Sequence, residues 1–261
     1  MLSQVKLAFR FYPKKDGATT ILILHGLFGS SKNWVSVAEY LTKYGDVYSL
    51  DLRNHGDSPH SSDHSLPQLA EDVLEFLNDR EIENCTILGH SMGGMVAMAF
   101  ALDYPTRVNK LIIEDIAPRN YEFNYQNEIS ALKVDVSLAK SRQEIDQEMS
   151  RFVTDSFIRN FLQMNLERKE DGGYKWKLNV EGIANSTRMF ESVFHEGKKP
   201  FSAPAFFIVG GASEYFQEGD KAVAQKYFPN AKFIRIENAD HYMHFTKAEK
   251  FRNAIDSILD Q

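Results

Sequence analysis

The stretch "TTILILHG", residues 19–26, sets the strongest limit on the architecture. It is a short continuous run of leucine and β-branched residues with no polar alternation. Such a run reads as a central strand buried on both faces, a condition met mainly in parallel sheets. It does not stand alone. "DVYSLDLR", "CTILGHS", "VNKLIIEDIA", "PAFFIVGG" and "AKFIRIE" follow as further strands. Between them lie helical patterns: Trp34, Val37, Ala38 and Leu41, with Gly45 suited to the helix end; Leu69, Val73, Phe76 and Leu77; and a helix from about Met92 that stops before Pro105. Strand–helix–strand units need crossovers, so the chain is expected to form a mostly parallel sheet with helices on both faces. Val5, Leu7, Phe9 and Phe11 alternate with Gln4, Lys6, Ala8 and Arg10 as in a half-buried strand, and "KKDGA" reads as a turn. Three helix starts carry capping-box spacing: Ser65 with Gln68, Ser141 with Glu144, and Thr246 with Glu249.

Residues 118–200 break this rhythm. They hold amphipathic patterns (Ile145, Met149, Phe152 and Val153; Phe157, Phe161 and Leu162; Met189, Phe190, Val193 and Phe194) and a short alternating piece, "YKWKLNV". A segment of roughly 80 residues is far longer than an ordinary helix–strand connection. It reads as an inserted helical lid, which leaves residues 1–117 and 201–261 as the core.

The run "CTILGHS" leads directly into Gly89-His90-Ser91-Met92-Gly93, a G-x-S-x-G pattern at a strand–turn–helix junction. The turn is expected to strain the serine backbone and to crowd its Cβ, so that glycines are needed two residues before and after it. The hydroxyl is then presented at the carboxyl end of the sheet. A serine hydroxyl needs a base, and the base needs an orienting acid. In this arrangement the chain order is Ser, acid, His. His241, in "NADHYMHF" after the last strand and before the last helix, fits the base, and His244 is its rival. His55, His60, His64 and His195 read as loop or lid surface. Two carboxylates compete as the acid. Glu214 follows "PAFFIVGG", shifted by one from the expected position, which Ser213 occupies. Asp115 ends the strand "KLIIED". Neighbouring strands lie about 4.8 Å apart, so it also comes within reach of the base. Glu114 is expected on the opposite face. The oxyanion needs two backbone donors. The candidates are the N–H of Met92, after the nucleophile, and that of Leu27, in the loop His25–Gly29.

Composition narrows the function further. The net charge of −6 weighs against nucleic acid or an anionic membrane surface as partner. No apolar stretch reaches the ~20 residues that span a bilayer, and the N-terminus lacks a signal-peptide layout. The single cysteine, Cys85, can form no intrachain disulfide and reads as a buried small hydrophobe. A cytoplasmic setting is expected. No metal-binding histidine or cysteine spacing is present, and the chemistry calls for no cofactor.

The segments "HGLFGSSKNW", "DLRNHGDSPH", "GHSMGG", "LIIEDIAPRNY" and "ADHYMH" together resemble the α/β-hydrolase superfamily, and within it the YbfF-type bacterial esterases and their eukaryotic relatives. The resemblance covers nearly the whole chain and is weakest in the lid. It implies an α/β-hydrolase fold and Asp115 as the acid. Asp240 departs from the pattern, because glycine commonly precedes the base. An extra carboxylate there stands to raise the His241 pKa or to compete for its hydrogen bond. The expectation is a serine carboxylesterase acting on small-molecule acyl esters or thioesters of short to medium chain. Two alternatives are a C–C hydrolase or lyase of the same fold, for which Arg119, Arg159 and Arg188 could bind an acidic substrate, and a slow-turnover binding protein that retains the triad.

Overall fold

A computed structural model describes residues 5–14, 19–170, 172–191, 193–195 and 197–261. Gln4 and residues 15–18 of the expected "KKDGA" turn lie outside the described residues. The elements in chain order are β1 (Phe9–Tyr12), β2 (Thr20–Leu24), α1 (Val35–Leu41), β3 (Asp46–Leu50), α2 (Leu66–Asp79), β4 (Cys85–His90), α3 (Met92–Asp103), β5 (Val108–Glu114), α4 (Gln126–Leu132), α5 (Arg142–Met149), α6 (Ser156–Gln163), β6 (Leu166–Arg168), β7 (Tyr174–Trp176), α7 (Val180–Ala184), β8 (Ala205–Gly210), α8 (Asp220–Tyr227), β9 (Ala231–Ile236), α9 (Met243–Thr246) and α10 (Ala248–Leu259).

Seven strands form one sheet in the order β1-β3-β2-β4-β5-β8-β9. All its pairings are parallel except that of β1 with β3. The continuous apolar runs are explained by two cores. Leu22, Leu24, Ile87 and Ile113 face α2 and α3 on one side. Their neighbours Ile21, Ile23, Leu88 and Ile112 face Trp34, Leu41, Phe251 and Ile255 on the other. Each such buried side chain contributes about 1.5–3 kcal/mol relative to exposure, so both faces of β2, β4 and β5 are mainly apolar. Helix α3 is buried from Met92 to Leu102 and shows no polar stripe. Cys85 is fully buried, and burial pushes its thiol up to about 12.

Several local expectations are corrected. Only Phe9–Tyr12 of the N-terminal alternation forms a strand, although Val5 and Leu7 are buried. Ser65 precedes α2 without a side-chain cap, and Thr246 closes α9 while Lys247 precedes α10. The Thr246 hydroxyl is instead engaged with Asp240 and the Tyr242 carbonyl. Ser141 does cap α5, accepting from the Glu144 N–H at 3.2 Å. Met189, Phe190 and Phe194 are buried through turns rather than a helix.

Within residues 118–200 lie α4 to α7 and the β6–β7 hairpin. Specific bonds tie this segment to the sheet's loops. Asn165 Nδ2 donates to the Phe28 carbonyl at 2.7 Å, the Asn179 N–H to the Asn54 carbonyl at 2.9 Å, and Lys177 pairs with Asp57.

Candidate active site

The buried strand β4 delivers Ser91 at a sharp elbow, with φ 52° and ψ −120°, directly ahead of α3. A non-glycine residue held there stores of order 1–3 kcal/mol of strain. The flanking glycines are needed for a different reason from the one expected. A Cβ at Gly89 would lie 2.4 Å from the Gly93 carbonyl oxygen, and one at Gly93 would lie 2.2 Å from that of Leu24. The crowding is therefore between helix α3 and the ends of β4 and β2, not around the serine Cβ. The Ser91 N–H donates to the Glu114 carbonyl at 3.1 Å, which pins the elbow to β5.

Strand register then decides which acid is near. His90 is level with Glu114 and Glu114 with Ile208, so the next residues, Ser91 and Asp115, stand at the same end of adjacent strands. Asp115 is fully buried, with φ 53°. Its Oδ1 accepts from the Gly210 N–H at 2.8 Å, and its Oδ2 accepts from the Ser213 hydroxyl and from His241 Nδ1 at 2.8 Å. The ring of His241 stacks on Tyr215, centroids 3.8 Å apart. Its carbonyl accepts from His90 Nε2 at 2.8 Å. Tyr121 fixes the Tyr215 backbone, donating its hydroxyl to that carbonyl at 2.6 Å while accepting from the Ala117 N–H.

The loop that carries Leu27 is held by two buried histidines. His25 Nδ1 donates to the Gly26 carbonyl and its Nε2 accepts from the Leu52 N–H. His55 Nδ1 donates to the Arg53 carbonyl and its Nε2 accepts from the Phe28 N–H at 3.2 Å. These roles require neutral rings. Burial, reinforced at His55 by His25 and His64, holds both below the ordinary histidine range. Among the described residues, neither the Leu27 N–H nor the Met92 N–H donates to a protein acceptor.

The rival residues lie elsewhere. Glu214 is exposed. His244 is buried on the opposite face, stacked on Trp34 at 4.3 Å, and its Nδ1 donates to Glu114 Oε1 at 2.9 Å. Asp240 accepts from the Tyr242 N–H and the Thr246 hydroxyl, and so closes a turn rather than engaging the His241 ring. His55 and His64 are not surface residues; both are buried within the "DLRNHGDSPH" region and the loop after it. His90, Glu114 and His244 place three possible metal-ligand atoms within 4.8 Å of one another. His90 Nε2 donates to the His241 carbonyl and His244 Nδ1 to Glu114 Oε1, a second buried Glu–His pair, while Glu114 Oε2 has no partner among the described residues.

Ser91 and His241 line one cavity of about 170 Å³, together with Gly26, Leu27, Phe28, His90, Tyr125, Glu128, Ile158, Phe161, Leu162, Tyr215 and Tyr242. None of the three candidate arginines lines it. Arg119 pairs with Asp220, Arg159 with Asp146, and Arg188 with Glu191. The sequence does not single out Tyr215, Tyr121 or Glu128, and it places Ser213 without its role as a donor to Asp115. The neighbourhood of Ser213 was visible, because a hydroxyl there leaves a hydrogen-bond donor where a charge was expected.

A mostly parallel sheet with a strained serine elbow, and an Asp–His pair at its carboxyl end, defines an α/β hydrolase. Residues 19–248 match the family described as alpha/beta hydrolase fold, and the chain belongs to it. It is 33% identical to the sn-1-specific diacylglycerol lipase ABHD11 of Danio rerio, over 98% of this chain and 83% of that protein. It is also 33% identical to Esterase YbfF of Escherichia coli, over 92% of each. A solved structure of a marine microorganism esterase superposes with a TM-score of 0.91 at 38% identity, covering 97% of this chain and 99% of the other. Among the described residues, no helix is long and apolar enough to cross a membrane.

Proposed function

We propose that the chain is a serine carboxylesterase that hydrolyses small acyl esters through an acyl-enzyme. The observation that carries this is the 2.8 Å contact between Asp115 Oδ2 and His241 Nδ1, in a site whose cavity is shared by His241 and the strained Ser91. With Nδ1–H held by Asp115, the His241 Nε2 is left as the base. It takes the Ser91 proton as Oγ attacks the ester carbonyl. The oxyanion is received by the N–H groups of Leu27 and Met92. The alcohol leaves with the proton from His241, which then activates a water to release the acid. Asp115 keeps the tautomer and stabilises the imidazolium.

Residues 118–200 act as the lid in this reading. Tyr125, Glu128, Ile158, Phe161 and Leu162 come from that segment and close the cavity over Ser91. A cavity of about 170 Å³ with aromatic and aliphatic walls favours a short to medium acyl chain in this reading. The diacylglycerols in the name of the ABHD11 relatives are larger than such a group and would need a wider cavity. A reading as a hydrolase of acidic substrates is disfavoured, because the cavity is lined by a carboxylate and by no arginine.

The test is Ser91→Ala assayed against a chain-length panel of chromogenic esters and thioesters. Turnover should fall roughly 10³-fold or more while the protein stays folded. Retention of more than a tenth of the wild-type activity would remove the serine mechanism. A stoichiometric burst with no turnover in the wild type would favour the slow-turnover binding protein.

A further inference from the structure

Glu128 is, among the described residues, the one carboxylate in the cavity of Ser91, and it comes from the helical segment. It stands in the first turn of α4 and is half-buried. That place on a helix favours a carboxylate by itself. Here, however, the side chain also lines the substrate cavity, and among the described residues it has no hydrogen-bond or ion-pair partner. Beyond Gly26, Leu27 and the site's own His90, Ser91 and His241, the wall is Phe28, Ile158, Phe161 and Leu162, and three tyrosines, Tyr125, Tyr215 and Tyr242. Tyr125 and Tyr242 stay neutral. Burial raises both hydroxyls furthest, with Tyr215 and the Glu128 charge adding to it. No lysine or arginine lines the cavity. A negative charge among aromatic faces, with no cation beside it, attracts an electropositive group and repels a carboxylate.

We propose that Glu128 sets the substrate class of this site: esters whose acyl or alcohol part carries an ammonium or hydroxyl group are preferred, and anionic esters are rejected. The proposal rests on the esterase reading above. In it Glu128 selects without entering the chemistry. An ammonium would be held by charge and by the aromatic faces, a hydroxyl by donation to the carboxylate.

The experiment measures kcat/KM for four butyrate- or succinate-sized esters: ethyl butyrate, 2-hydroxyethyl butyrate, butyrylcholine and monoethyl succinate. These are run on the wild type, Glu128→Gln and Glu128→Lys at low and moderate salt. In the wild type, at least one of the hydroxyl and choline esters should exceed monoethyl succinate by at least about tenfold. Whichever leads identifies the electropositive group. Glu128→Gln should shrink that ratio to within about threefold, and Glu128→Lys should invert it, with the inversion weakening as salt rises. A purely helix-stabilising role for Glu128 changes all four rates together and inverts nothing. An unchanged order of preference in both variants, with each shown to be folded by its melting curve, overturns the proposal. No turnover of any of the four esters by the wild type overturns the esterase reading, and this proposal with it.

Discussion

The Asp115 carboxylate accepts from the Gly210 N–H, the Ser213 hydroxyl and His241 Nδ1, and it is fully buried. A buried charge is tolerated only when its lone pairs are filled, and these donors fill them while leaving one oxygen fixed on the imidazole. Asp115→Asn should keep the fold and cut kcat by roughly 10²- to 10⁴-fold, since an amide supports the wrong tautomer and cannot stabilise the imidazolium. Glu214→Gln should cost less than about tenfold in the same assay, because Glu214 is exposed. Both are to be compared at one pH well above the ordinary histidine pKa, so that base protonation is not mistaken for misorientation. The reverse outcome, a crippled Glu214→Gln beside a normal Asp115→Asn, would reassign the acid. Ser213→Ala removes one of the neutral donors to Asp115 and should lower kcat by an intermediate amount, about tenfold, through a carboxylate less firmly held.

At the scale of elements, the elbow is a junction of three backbones. Helix α3 passes so close to β2 that a Cβ at Gly93 would meet the carbonyl oxygens of both Leu24 and His25, at 2.2 and 2.6 Å. Neither is the movable end of a side chain. Gly93→Ala should destabilise by about 3 kcal/mol, at the upper end of overpacking penalties, and should displace the loop that carries Leu27. Gly219→Ala has no atom within 4 Å of the new Cβ and should stay within about 0.5 kcal/mol. Equal denaturant midpoints for the two variants would remove the close-approach argument. The same junction explains what the sequence could reveal. The strands and their crossovers were legible, because burial on both faces leaves continuous apolar runs. The serine and the late histidine were legible through their places at strand ends. The sequence leaves Asp115 and Glu214 both open, because it does not state which strands are neighbours; the register of β4, β5 and β8 puts Asp115 level with Ser91, and its carboxylate meets His241. Capping boxes at Ser65 and Thr246 failed for a local reason. At Thr246 the hydroxyl finds Asp240 first, and the residue ends the short α9 instead of opening α10. The Met189–Phe194 pattern has helical spacing, yet its buried side chains are supplied by turns. Periodicity reports which residues go inside and leaves the backbone path unspecified.

For the molecule as a whole, the unusual commitment is to buried neutral histidines. His25, His55, His64 and His90 are each almost fully buried. Burial is the first cause holding all of them below the ordinary value, and it takes His64 down to about 3. At His55, His25 and His64 push in the same direction, and at His90, His241 and His244 do so. His64 accepts from Asn54 Nδ2 on one nitrogen, while its Nε2 finds no partner among the described residues. The unfolded chain has none of these constraints, and its histidines take up protons near pH 6.5. Because the folded pKa values are depressed below the unfolded ones, stability is complete above about pH 6.5 and falls as the pH drops below it. The loss ends only where the folded rings themselves protonate. Each ring that stays neutral in the fold while its unfolded counterpart is charged contributes about 1.4 kcal/mol per pH unit, and the four act in the same direction. Asp72, whose carboxyl burial raises despite its Arg53 partner, acts with the opposite sign, as one group nearer the carboxylate range. Against a total stability of about 5–15 kcal/mol, even one such ring weighs measurably in the balance by about pH 5. Denaturant melts between pH 8 and pH 5 should show a flat region above pH 7 and a steep fall below pH 6.5. His64→Asn should flatten that fall by about 1.4 kcal/mol per unit, because one of the protons is no longer exchanged. A wild-type midpoint that does not change from pH 7.5 to pH 5 would mean that these rings take up protons in the folded protein as readily as in the unfolded chain, and that the neutral hydrogen-bond roles given to His25 and His55 at the Leu27 loop are wrong.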